Sequence, residues 1–165
     1  VRADDDLRRA IRRVIVEPLD IVPARARLTD LVARRAVRYE EASVFFLDDR
    51  SFAEPEGFWI GGNRQSAFVV QPDRPQSSIA LHLRNAPVVN RVTIASGQWQ
   101  EALTLAPGEE RRVQVPVAPG QSAVLVTAAT TAGFRPSEST PGSRDERFLG
   151  VWVAPGLQKR ATPPK

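Results

Sequence analysis

At 165 residues, with 42% hydrophobic and 25% charged side chains, the chain is long enough to bury one globular core. No apolar run in it approaches the ~20 residues that cross a bilayer. The absence of cysteine rules out disulfide staples and thiol chemistry, and the single histidine, His82, rules out a metal centre built from several imidazoles. The net charge of +4 rests almost wholly on arginine, with lysine at Lys159 and Lys165 alone. This suggests a weak attraction to anionic surfaces, although arginine preference in a GC-rich genome is the plainer account of the bias. Methionine is absent, even from position 1. Val1 is therefore expected to be a processed end or a cut within a longer chain, with any signal or membrane anchor upstream of it.

The first segment reads as helix. Asp4, Asp5 and Asp6 precede a run in which Leu7, Ile11, Val14 and Ile15 share one stripe, with Arg8, Arg9, Arg12 and Arg13 opposite. Pro18 ends it. A second helical pattern follows Pro23, with Leu28, Leu31, Val32 and Ala36 inward and Arg27, Arg34, Arg35 and Arg38 outward; Asp20 and Thr29 both fit as its cap. Residues 1–41 are thus expected to be a helical, arginine-rich segment. Its basic faces, Arg12, Arg13, Arg34, Arg35 and Arg38, are expected either to be solvated or to meet a membrane-protein partner. Nucleic acid is not the expected partner, because stacking aromatics do not alternate with the basic residues and acidic residues dilute them.

From Ala42 the period changes to two. SVFFL is a compact apolar strand closed by Asp48, Asp49 and Arg50. The stretch Glu54 to Asn85 then reads strand, tight turn at Gly61-Gly62-Asn63, strand, loop, strand, ending in strict alternation of Ile79, Leu81 and Leu83 with Ala80, His82 and Arg84. Further short strands follow around turns at Ser96-Gly97, Ala106 to Glu109 and Ala118 to Gln121, with Pro116 implying an edge or a bulge. A loop over 130–145 precedes the last strand, RFLGVWV, and 155–165 reads as a flexible tail. Eight or nine such strands predict an all-β fold over 42–154, an antiparallel sandwich of jelly-roll or immunoglobulin-like type. Val44, Phe46, Leu81, Leu83, Ile94, Val113, Val115, Val124 and Val126 are its expected core. No connection is long enough for the helices of a parallel sheet.

Chemistry is sparse. His82 lies in an alternating strand with no second ligand and no nucleophile elbow near it, so a surface-facing strand histidine is the plain reading. Asp48, Asp49, Glu54 and Glu56 fall close together between two strands; such loops can hold calcium, making Asp48, Asp49 and Glu54 the candidate ligands, but no loop signature accompanies them. No other cofactor is expected. Paired carboxylates for glycoside hydrolysis have no spacing support either. Trp59, Trp99 and Trp152 are the best binding material. Trp59 and Trp152 stand in dense apolar runs and read as core. Trp99, with Gln98, Gln100 and Glu101 around it just past a turn, is the candidate glycan platform, with a core role equally open.

As a set, EPEGFWIGG, LRNAP with VTI, GQW and EALTLAPGEE, and GFRPSE with RDERFLGVWV resemble the C-terminal β-sandwich domain of some bacterial multi-span membrane proteins, notably family-39-like lipid-dependent glycosyltransferases. The resemblance covers residues 43–154 and leaves out the helices. It implies an extracytoplasmic, membrane-associated module without catalytic residues of its own, the reaction belonging to the membrane-embedded part of such proteins. The expected function is a non-catalytic module that binds glycan or docks a partner, with no enzymatic activity of its own. The alternative is an accessory subunit that stabilises a membrane complex through its basic helices, and an enzyme acting through the acidic turn ranks behind both.

Overall fold

The computed structural model describes residues 22–28 and 31–156, with side chains described from Ala33 onward. The expected first helix, Arg12 and Arg13 with it, lies outside the described residues, as does 157–165 of the tail. The described residues form twelve strands and one single-turn helix, in order: β1 (Val22–Leu28), β2 (Leu31–Tyr39), β3 (Ala42–Phe46), β4 (Ser51–Glu54), β5 (Gly57–Gly61), β6 (Gln65–Pro72), β7 (Ser78–Asn85), β8 (Asn90–Ser96), β9 (Trp99–Leu105), β10 (Glu110–Pro116), β11 (Val124–Thr130), α1 (Pro136–Ser139) and β12 (Leu149–Gly156). All pairings are antiparallel. They build a seven-stranded sheet ordered β1-β2-β3-β6-β11-β8-β9 and a five-stranded sheet ordered β10-β7-β12-β5-β4. No helix among the described residues is long and apolar enough to cross a membrane.

The core forms between the sheets from alternate residues of both. Val44, Phe46, Phe68, Ile94, Val124 and Val126 of the larger sheet meet Phe58, Leu81, Leu83, Val113, Val115 and Val153 of the smaller one. All nine core residues expected from period-two placement belong to this cluster. Phe58 stands edge-on to Phe46 at 5.0 Å and to Phe68 at 4.9 Å, an arrangement the ring quadrupole favours. Fully burying each such ring contributes on the order of 1.5–3 kcal/mol. The Gly61–Asn63 turn joins strands of different sheets, with Asn63 at φ 51°. The chain from β5 to β7 therefore crosses the sandwich twice and ties its two layers together. Pro116 ends β10, an edge strand, where a missing N–H is tolerated.

The second expected helix is not formed; β1 and β2 occupy its place and extend the larger sheet back to Val22. The hairpin to β3 decides this locally. Val37 pairs with Val44 and Tyr39 with Ala42, and Val37 and Tyr39 join the core. A strand's pleat then divides the arginines between two faces. Arg35 is opposite Phe46 and shares the inner side with Val37 and Tyr39, while Arg34 and Arg38 point away from it. The single basic face expected of a helix does not exist in this segment.

Candidate functional site

Several expected site residues are engaged in holding the fold. The Arg35 guanidinium donates to the carbonyls of Ser51 (2.7 Å) and Asp48 (3.2 Å) and lies over the Phe46 ring. Arg34 pairs with Asp49 at the surface, at 2.7 Å. Arg38 grips both carboxylate oxygens of Asp73. The acidic turn does not converge on a common point. Asp48 accepts from Ser66 Oγ, the Ala67 N–H and the Arg50 N–H. Asp49 belongs to Arg34, and Glu54 accepts from Arg147 at 3.1 Å. No group of three or more metal-ligating side chains occurs among the described residues. Arg147 also forks onto Asp145 and, as the main cause, holds that carboxyl below the usual carboxylate range.

Trp99 opens β9 opposite Ser96, across a two-residue turn whose Gly97 takes φ 58°. Its ring is half-buried and packs against the inter-sheet core together with Leu103. Glu101 shares that side of the strand, whereas Gln100 points to the other and Gln98 sits in the turn. The four residues are adjacent in sequence without forming one open face.

A groove that brings aromatic, basic and acidic side chains together lies elsewhere, on the outer face of the five-stranded sheet. In β5 and β12, Phe58, Ile60, Val151 and Val153 take the inner positions, so Trp59 and Trp152 point outward. Neither fills the space between the sheets. Trp59 is buried under Phe134, edge-on at 5.9 Å. Trp152 is half-buried. Strand pairing sets Glu110, Arg84, Trp152, Trp59 and Phe52 in one row across all five strands. Arg112 and His82 pair in a neighbouring row.

Glycine makes the row possible. A Cβ on Gly57 would lie 2.6 Å from the Trp152 ring, and one on Gly156 would lie 2.8 Å from the His82 imidazole. Both rings therefore rest close against bare backbone. The Arg84 guanidinium carbon sits over Trp152, 4.7 Å from the ring centroid, and 6.0 Å from that of Trp59. Although Glu110 is its cross-strand partner, Arg84 forms no ion pair with it; nor does Arg112 pair with any carboxylate among the described residues. Arg111, by contrast, is taken by Glu109 at 2.6 Å. The Ala106 N–H first and the Arg111 guanidinium second hold the Glu109 carboxyl below its ordinary range. Together these residues line an open groove of about 480 Å³ along His82, Arg84, Glu110, Arg112, Trp152 and Ala154.

The alternation in FWI and VWV was the available signal for the two outward tryptophans. What it lacks is any mark of the partner strands, so the meeting of Arg84 with Trp152 and of Arg112 with His82 required the register. Compared with known proteins, the chain matches no protein-family model and no curated sequence significantly.

Proposed function

We propose that this chain is a non-catalytic β-sandwich binding module of a membrane-associated bacterial protein, and that it recognises glycan through the groove on its five-stranded sheet. The observation that carries the reading is Trp152, held as an apolar wall beside exposed hydrogen-bonding groups on His82, Arg84, Glu110 and Arg112. An aromatic surface with a few fixed polar groups suits a sugar, whose C–H faces are apolar and whose hydroxyls need partners. The extracytoplasmic, membrane-associated setting is what the resemblance to the glycosyltransferase sandwich domain implies. A non-catalytic role is favoured because Glu110 is the one carboxylate lining the groove, whereas glycoside hydrolysis ordinarily needs a facing pair. Calcium does not enter this reading.

Purified protein applied to an immobilised array of neutral and acidic saccharides should mark a subset of them. Trp152→Ala should weaken that binding roughly ten- to a hundredfold, the equivalent of the 1–3 kcal/mol lost when a base loses its aromatic platform, taken here by analogy. Retention of any saccharide unaffected by Trp152→Ala moves the site elsewhere, and an array with no bound saccharide defeats the glycan reading.

A further inference from the structure

We propose that the groove selects acidic saccharides, taking a carboxylate, sulfate or phosphate carried on a sugar ring between Arg84 and Arg112. The inference rests on the reading of the groove as a saccharide site and adds the charge of the ligand to it. Arg84 is positioned as an anion receptor is. Its guanidinium is planar and stays charged, and stacking on Trp152 orients the group while leaving its N–H edges to solvent or ligand. Stacking also reduces the side-chain freedom lost on binding, and a bidentate fork matches an oxyanion better than a hydroxyl.

The neighbouring charges point the same way. Two arginines without a carboxylate partner among the described residues, Arg84 and Arg112, face the groove with Glu110 as the one opposing unpaired carboxylate. Arg111 and Glu109 neutralise each other at its rim. Arg112 sits opposite His82 and Arg84 lies two residues further along the same strand. That is the diagonal relation across an antiparallel pair, close enough for both to reach one ligand group. Glu110, directly across from Arg84, opposes a second anion beside the first, so one charged group per bound segment is the expected stoichiometry.

The test uses three probes titrated against the whole chain by calorimetry: tetragalacturonate, its full methyl ester, and a sulfated chondroitin tetrasaccharide. At least one charged probe should bind about tenfold or more tightly than the ester, and added salt should narrow the gap. Arg112→Gln and Arg84→Gln, with unchanged circular dichroism, should each remove the preference for charge, bringing the charged probe down to the affinity that the same variant shows for the ester. If the ester binds as tightly as both charged probes, the acidic-ligand inference is overturned and the saccharide reading stands. If none of the three binds, the acidic-ligand inference falls, and the saccharide reading is decided by the array alone. If a charged probe binds but neither arginine variant alters its affinity, the anion is held elsewhere and the assignment to this groove is wrong.

Discussion

Arg84 covers the indole of Trp152 from the adjacent strand, its guanidinium carbon 4.7 Å from the ring centroid, and Glu110 on its other side does not claim it. This pairing turns a sheet's outer face, ordinarily a solvated surface, into a preorganised one. It depends on Gly57, since any side chain there would collide with the indole. The same register that buries Val151 and Val153 in the core fixes Trp152 outward between them. The packing of the core and the placing of this aromatic on the outer face are thus set by one strand.

The two tryptophans should respond oppositely to removal. Trp99 packs against the inter-sheet core, so Trp99→Ala should lower stability by about 1–3 kcal/mol, below the 3–5 kcal/mol typical of a fully buried Trp because its burial is partial. Saccharide affinity measured below the melting transition should not change. Thermal melts and titrations of Trp99→Ala beside Trp152→Ala check this. Unchanged melting with lost binding in Trp99→Ala would return the ligand to the β8–β9 hairpin.

How far the sequence reveals all this depends on what the alternation meets. Where apolar and polar residues strictly alternate, as from Ile79 to Arg84, the strand, its inner face and its core members are all legible, and each of the nine core residues expected falls in place. Between Leu31 and Tyr39 an arginine occupies an inner position at Arg35, so the period of two is broken by composition and a helical spacing fits equally well. Tertiary pairing with β3 then decides. The tryptophans mislead for another reason. In a strand whose outer face carries large aromatics, the run looks uniformly apolar, and burial in the core is indistinguishable from a covered outer face until the strand order is known. Arg84 beside Trp152 is a product of that order, since 68 residues separate them in the chain (152 − 84).

Tyr39 provides a clean pH probe because it is the one tyrosine in the chain. Its hydroxyl donates to the buried carbonyl of Gly57 at 2.7 Å. Burial, reinforced by the nearby Glu54 carboxylate and partly offset by Arg35, raises its pKa well above the ordinary value. A raised folded-state pKa means that the stabilisation is complete below the unfolded value of about 10 and declines as pH rises beyond it. Native protein should therefore lack the tyrosinate absorbance that urea-unfolded protein develops around that pH, and its stability should fall with further alkali. A native spectrum that titrates with the unfolded one would mean that the phenol is open to water.

Arg34 and Arg35 provide the sharpest test of strand against helix in the N-terminal segment, because a strand sends neighbouring side chains to opposite faces. Arg34 is exposed and holds Asp49; an isolated surface pair of that kind contributes about 0–1 kcal/mol. Arg35 faces inward, packs its guanidinium over Phe46 and satisfies the carbonyls of Asp48 and Ser51. Arg35→Ala leaves both carbonyls without that donor and opens space beside Phe46, so it should cost roughly 1–3 kcal/mol or more. Arg34→Ala should remain within about 0.5 kcal/mol of the parent. Urea denaturation of the two variants, with the slope held in common, measures the difference. Equal small effects would be the signature of one solvated basic face, as a helix over this segment requires. Equal small effects on folding, joined to loss of a membrane-protein partner on reversing both charges, would support the accessory-subunit role instead. A large loss at Arg35 alone makes it a structural side chain of the sandwich, and excludes it from any docking surface.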